Sequence, residues 1–440
     1  MASISQLQCA NCGRTYAPDA VRYTCPVCGP AGTLDVRYDY AALAATVSRD
    51  DIAASREPSM WRYRPLLPLG ADAIVPPLQV GWTPLYDAPR LAADLGVRQA
   101  WAKDDGKNPT GSLKDRASAM VVARAIEQGI TTVSTASTGN AAAALAGVSA
   151  SVGMTPVIFV PATAPEAKIA QLLVYGATVV LIEDTYDVAF DLCTEICELE
   201  GWYCRNTGMN PFTIEGKKTV AYEIAEQLNW QVPDVVFVSV GDGNIIAGVH
   251  KGFVDLHTLG WIERIPRLIG VQAEGSSPLV RAWEQGVAGQ DMQPVETDTL
   301  ADSIAAGLPR DRVKALRAVR QTNGAFFALS DAAILESIPK VARLTGVFAE
   351  PSAAAVYAGA RRAVELGVVS PDESIVLLLT GNGLKDVRRA QQAVGQTLRV
   401  NPTWRLFVRR YDHSRKHDRQ TALFDCRSRL QRRRQHPAAL

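Results

Sequence analysis

The sequence predicts an α/β protein built of two parallel-sheet domains with a cleft between them. Two observations carry this. From about residue 98 onward, short β-branched runs alternate with helix-like stretches. There are also more of these units than one small sheet can hold. "TTVSTA" (131–136) reads as a strand and is followed by an alanine-rich helix. "TPVIFVP" (155–161) is a strand, and "PEAKIAQLLVYG" (165–176) a helix opened by a proline and closed by a glycine. "ATVVLIE" (177–183) is a strand, Tyr186 to Trp202 a helix, and 215–230 a further helix. "DVVFVSV" (234–240), "RLIGVQAEG" (267–275) and "ESIVLLLT" (373–380) complete the strands. Open α/β sheets bind ligands beyond the C-terminal ends of their strands, so function is sought there.

The 440 residues leave room for about three domains. Apolar residues make up 47% and charged residues 21%, the balance of a soluble globular chain. No run approaches the length of a membrane span, and the N-terminus has no basic start followed by an apolar core. A cytoplasmic protein is expected. The net charge of +1 hides a split: residues 399–440 hold eleven Arg and one Lys against three Asp, leaving the body at −8. That basic tail, 399–440, is expected to be a poorly ordered appendage.

Four of the eight cysteines sit at the head. Cys9-x-x-Cys12 and Cys25-x-x-Cys28 form two knuckles, with glycines after Cys12 and Cys28 to permit the turns. Four thiolates suit a closed tetrahedral site, so a small structural zinc ribbon is expected over residues 1–40. It leaves no open coordination position for catalysis. Cys193, Cys197, Cys204 and Cys426 are scattered, and Cys193 and Cys197, four apart on a helix, read as buried apolar cysteines.

Four polar turns mark the catalytic region, 41–398. In "NPTGSLKDRAS" (108–118), Ser112 and Asp115 are spaced as a capping box, which places Lys114 in the first turn of a helix. A cation at that positive end is poised to lose its proton, which suits Schiff-base chemistry. After strand 131–136, Ser137, Thr138, Gly139 and Asn140 enter a helix as an anion cradle. After strand 234–240, Gly241, Asp242, Gly243 and Asn244 turn into another helix. Gly248 lies five residues past Gly243 rather than three, so a monophosphate fits this nest better than a dinucleotide. Thr380-Gly381-Asn382-Gly383 follows the most apolar strand. A Schiff-base lysine, a monophosphate nest and two polar turns together call for pyridoxal phosphate (PLP).

The motifs "GWTPL" (81–85), "NPTGSLKDR" (108–116), "STGN" (137–140), "NPFTIEGKKT" (210–219), "VGDGNI" (240–245), "EPSAAA" (350–355) and "TGNGLKD" (380–386) resemble the threonine synthase branch of the PLP enzymes. The likeness covers about residues 78–387. It implies fold type II, the tryptophan-synthase β-subunit fold, with the PLP cleft between its two α/β subdomains. It also implies conversion of O-phosphohomoserine and water to threonine and phosphate, the work of a lyase in amino-acid biosynthesis. By the same resemblance Lys114 is the catalytic, cofactor-bearing lysine. Asn140 would bond the cofactor's ring hydroxyl. Gly241, Asp242, Gly243, Asn244 and Ile245 would hold its phosphate, and Thr380 would face the pyridine nitrogen. Ser137, Thr138 and Gly139 would grip the substrate carboxylate.

The substrate-phosphate subsite departs from the family pattern. Ala141 stands where a hydroxyl residue is usual, and Thr213 where an arginine is usual. Lys217 or Lys218 could compensate, although both read as a solvated helix face. Serine/threonine dehydratase and cysteate synthase-like β-replacement therefore stay open as alternatives. A zinc-ribbon nucleic-acid regulator is a reading of a different class. The acidic body and the intact cofactor motifs speak against it. The expected partners are a small amino-acid substrate and a second copy of the chain, with no membrane.

Overall fold

The computed structural model describes residues 4–395 except 165 and 185. The predicted helix-opening Pro165, Cys426 and the basic tail 399–440 lie outside the described residues.

In chain order the strands are β1 Ile4–Cys9, β2 Thr15–Tyr16, β3 Leu34–Tyr38, β4 Leu85–Asp87, β5 Gln99–Asp104, β6 Thr132–Ala136, β7 Thr155–Pro161, β8 Thr178–Ile182, β9 Tyr203–Cys204, β10 Val235–Ser239, β11 Arg267–Ala273, β12 Ala325–Leu329 and β13 Ser374–Leu379. They make three sheets. The first, β2-β1-β3, is antiparallel and carries the N-terminal cysteines. The largest runs β12-β11-β10-β13-β5-β4 and is parallel except for the edge strand β4. The third, β8-β7-β6-β9, is wholly parallel.

Parallel strands covered on both faces read as continuous apolar runs. That is what "SIVLLL" in β13 and "VVFVS" in β10 are, and every residue of both is buried. The two pair in parallel, Val235 beside Ile375. The helix Pro351–Glu365 packs beneath them on small residues. A Cβ at Gly359 would come within 2.5 Å of Val271 on β11, so only glycine lets this helix lie so close. β13 inserts between β5 and β10 although it is last in sequence. The crevice beyond the C-terminal ends of β10 and β13 therefore lies where the winding reverses, the usual ligand position in such sheets.

The cysteine-bearing sheet docks through named contacts. Lys314 Nζ donates to Leu34 O at 2.7 Å, and Arg317 pairs with Asp35 at 2.7 Å. Tyr38 donates to Glu215, and Tyr40 donates to Asp255 at 2.6 Å. Lys218, expected on a solvated face, is fully buried here. It pairs with Glu215 at 2.7 Å and Asp255 at 2.8 Å, with its ammonium over the Tyr38 ring. Glu215 is a local partner three residues back, but Asp255 comes from a separate helix and Tyr38 from the N-terminal sheet, which local periodicity does not reveal. The stretch 215–230 also divides into two helices, Phe212–Lys217 and Thr219–Gln227.

Candidate active site

The Lys114 turn is held from both sides. Lys114 opens the helix Lys114–Glu127. Just before it, Leu113 N–H donates to Thr380 O at 2.9 Å, and Ser112 bridges Gly381, so the turn is pinned to the end of β13. The capping box expected from Ser112 and Asp115 does not form. Asp115 instead turns back and accepts from Thr110, at 2.7 Å from its backbone N–H and also from its hydroxyl. Tertiary pinning of the Ser112 backbone overrides the local cap. The Ser112 hydroxyl has no hydrogen-bond partner among the described residues.

Behind the helix lies a buried charge network. Arg116 Nε donates to Asp105 at 2.7 Å, and its guanidinium also reaches Glu223, at 2.8 Å from Nη2. Lys103 joins Glu223 at 2.7 Å. Trp82 N–H of "GWTPL" donates to Glu223 at 2.7 Å. Two cations meet two carboxylates, so the charges balance within the core. Burial alone would raise the Glu223 pKa, but Arg116 and Lys103 overcome it and hold it at about 2. Removing one member would strand its partners and cost about 3–5 kcal/mol.

A cavity of about 750 Å³ opens in front of this turn. Its lining includes every residue expected to hold cofactor or substrate: Lys114, Ser137, Thr138, Gly139, Asn140, Gly241, Asp242, Gly243, Asn244, Ile245 and Thr380. They come from the ends of β6, β10 and β13 and from the Lys114 helix. Lys114 is half-buried and makes no hydrogen bond or ion pair among the described residues. Burial pushes its pKa down; Glu350 and Asp242 oppose this, while Arg205 adds to it.

The helix Asn244–Thr258 starts at Gly243, whose φ is 83°, and no side chain caps it. A Cβ at Gly243 would sit 2.8 Å from Ala315, so the tight, left-handed start demands glycine. Its first-turn N–H groups are left for an anion. Across the cavity, a Cβ on Gly139 would meet no atom within 4 Å.

Two lining residues gain a weight that the sequence did not give them. Glu350, at the start of the helix Pro351–Glu365, accepts from Asn140 Nδ2 at 2.9 and 3.1 Å. Burial raises its pKa, against the pull of Asn140 and Lys114. Its signal was the "EP" helix start within a quoted motif. Lys217 is fully buried rather than solvated. Its ammonium donates to Asn244 Oδ1. Burial drives its pKa well below the usual lysine value, and Arg205 and Lys114 push the same way against the pull of Asp311 and Asp242. Asn244 is itself fixed, donating to Asp311 at 2.5 Å and to Thr213 Oγ1 at 3.2 Å. Thr213 also donates to Asn210 O at 2.8 Å, so it orients Asn244. Ala141 lines the cavity and brings no hydroxyl.

In the N-terminal sheet, the sulfurs of Cys9, Cys12, Cys25 and Cys28 lie within 4.8 Å of one another. The Cys12 and Cys25 sulfurs are 3.8 Å apart, and Cys12 N–H points to the Cys9 sulfur at 3.5 Å. Such a quartet is the donor set of a closed structural metal site. Among the described residues no helix is long and apolar enough to cross a membrane.

Residues 77–381 match the family of pyridoxal-phosphate dependent enzymes. The threonine synthase of Methanosarcina acetivorans is 40% identical over 382 residues, covering 86% of this chain and 92% of that protein. The threonine synthase of Methanocaldococcus jannaschii is 38% identical over 395 residues, covering 89% and 96%. Among solved structures, the processed form of threonine deaminase isoform 2 from Solanum lycopersicum superimposes with a TM-score of 0.59 at 26% identity, over 71% of this chain and 88% of that one. The chain belongs to the pyridoxal-phosphate dependent enzymes, in the fold type II architecture. Within them it is a threonine synthase-like lyase.

Proposed function

We propose that the substrate is O-phosphohomoserine and that the enzyme releases its phosphate and adds water at Cβ to give threonine. The observation that carries this reading is Lys217. A fully buried lysine in the wall of a polar cavity, hydrogen-bonded to a neutral amide oxygen and with its charge disfavoured by burial, is a site that an anion would stabilise. The uncapped helix start at Gly241–Ile245 suits the cofactor's phosphate, which leaves Lys217 for the phosphate of the substrate.

The residues present fit pyridoxal phosphate. They offer a half-buried lysine without an ion pair among the described residues, a helix start without a side-chain cap, and an open face at Gly139. When bound, that group draws electrons from Cα of the amino acid and so eases loss of the proton there. In this reading Lys114 carries the cofactor, and its Nζ takes and returns protons at Cα and Cβ. Its lowered pKa suits a base, because the neutral amine is favoured. Asn140 bonds the ring hydroxyl, and Thr380 faces the ring nitrogen as a neutral hydroxyl. Ser137, Thr138 and Gly139 hold the substrate carboxylate. Lys217, aimed by Asn244, neutralises charge on the leaving phosphate. Thr213 acts one step back, by orienting Asn244. The cysteine quartet would hold zinc as a scaffold for the N-terminal sheet.

A second reading is a serine or threonine dehydratase. It is favoured by Ala141, which offers the leaving group no hydroxyl, and by the Solanum lycopersicum threonine deaminase, which shares the fold. Turnover of O-phosphohomoserine, run beside serine, threonine and O-phosphoserine plus sulfite, separates the readings. Phosphate release with threonine formation supports the synthase. Ammonia from serine or threonine, with O-phosphohomoserine inert, replaces it with the dehydratase.

A further inference from the structure

Three cysteines outside the N-terminal quartet converge on one point. Cys193 and Cys197 lie four apart on the helix Tyr186–Leu199 and so share its face. Cys204 belongs to β9. All three are fully buried, and their sulfurs lie within 4.8 Å of one another. The thioether sulfur of Met209 is 3.9 Å from the Cys204 sulfur. Ser134 Oγ lies 3.3 Å from the Cys193 sulfur. Phe159, Phe190 and Tyr23 help to wall the cluster, and Cys204 N–H donates to the Tyr23 hydroxyl at 2.7 Å.

A single buried cysteine packs as a small apolar side chain. Three drawn from a helix and a strand onto one point, with a thioether beside them, make a ligand set. We propose that Cys193, Cys197 and Cys204 form a second metal site, selective for the soft monovalent cation Cu(I), with Met209 as a neighbouring donor.

The donor chemistry chooses the metal. Structural zinc takes four ligands from Cys, His and carboxylates, and this cluster offers three thiols and a thioether. Thiolate and thioether sulfur together select Cu(I). Charge points the same way. One thiolate and one Cu⁺ are neutral together, whereas three thiolates around a divalent ion leave net charge in an apolar core. Binding is a ligand exchange without electron transfer. One cysteine S–H bond breaks, its proton leaves to solvent, and one copper–sulfur bond forms. The other sulfurs donate lone pairs and stay neutral.

The site would tie the helix Tyr186–Leu199 to β9 beneath the substrate turn. Asn206, two residues after Cys204, accepts from Ala136 N–H at 2.8 Å and from the Thr135 hydroxyl at 3.1 Å. Those residues end β6 and lead directly into Ser137. Copper at the trio would therefore stiffen the floor of the Ser137–Asn140 turn.

The test uses the full chain loaded with zinc and pyridoxal phosphate. It is titrated anaerobically with Cu(I) held by a coloured Cu(I) chelator. The expected result is that one equivalent leaves the chelator while zinc, measured in parallel, stays bound. In urea just strong enough to expose the copper-free trio to alkylation, that copper should protect Cys193, Cys197 and Cys204, as read by peptide mass spectrometry. Cys197→Ala and Cys204→Ala should each weaken copper binding by more than about 10-fold. The cofactor's absorbance serves as the check that both variants fold. Should one of them misfold, the alkylation pattern of the wild-type protein decides alone. Copper that enters only by displacing zinc, no copper uptake, or alkylation of the trio unchanged by copper would each overturn the proposal.

Discussion

Asn140 Nδ2 donates to both carboxylate oxygens of Glu350, at 2.9 and 3.1 Å. The bond spans the cavity, from the first residue of the helix Asn140–Ala150 beside the smaller sheet to the start of a helix under the larger one. One amide proton shared between the two Glu350 oxygens leaves the other of the two for a ring oxygen. Glu350 is then a positioning residue. Glu350→Gln should leave the cofactor bound but reduce turnover by about 10–100-fold through misplacement of Asn140. The cofactor's absorption maximum should shift with it. A normal spectrum together with normal turnover would remove Glu350 from the site.

Borohydride reduction of the yellow enzyme should bleach it and leave the pyridoxyl group on Lys114. Lys114→Ala should lose both colour and turnover. Lys103 is spoken for by Glu223 in the charge network, and Lys107 is exposed. An adduct mapped by mass spectrometry to either of them would break the assignment.

Lys217 should cost the empty protein stability. Its pKa is pushed down on folding, so the unfolded chain binds the proton more readily. Stability then rises with pH between the lowered folded value and the ordinary lysine value near 10.5. Lys217→Met should flatten this rise and lift the melting temperature of the cofactor-free protein by about 2 °C or more. The same change should sharply raise KM for a phosphorylated substrate. Melting curves across pH decide it: a lower melting temperature at every pH would mean that Lys217 stabilises the fold.

Much of this site was legible before the fold was. Continuous apolar runs announced β7, β10 and β13, because strands covered on both faces have no polar side to show. The polar turns after β6, β10 and β13 stood out as breaks directly behind such runs. β5 is not legible in the sequence, since its "QAWAKD" ends in charges that only tertiary partners neutralise; Lys103 meets Glu223, 120 residues on. The burial of Lys217 and Lys218 was hidden for the same reason. Their partners Asn244 and Asp255 lie 27 and 37 residues away, and a helix-face reading sees only neighbours within a turn or two. The Ser112 cap failed because a long-range contact claimed its backbone.

The cysteine quartet should bind one zinc per chain. Cys9→Ser should weaken that binding and lower the melting temperature, since Cys9 pairs with Leu34 on β3, the strand that carries the sheet's contacts to Glu215 and Lys314. The cofactor spectrum should not change. Chelation that stops turnover at once, with the fold intact by circular dichroism, would give the metal more than a scaffold's part.

A phosphorylated substrate held against Lys217 is what sets the proposed synthase apart from a dehydratase. The deciding measurement is the ratio of threonine formed to phosphate released from O-phosphohomoserine, for the wild-type enzyme and for Lys217→Ala. Equal amounts of both products are expected, with a variant that keeps its cofactor spectrum while KM for O-phosphohomoserine rises by about 100-fold or more, the loss of a buried charge-assisted contact. O-phosphohomoserine left untouched by the wild-type enzyme, while serine or threonine yields ammonia, would overturn the synthase reading.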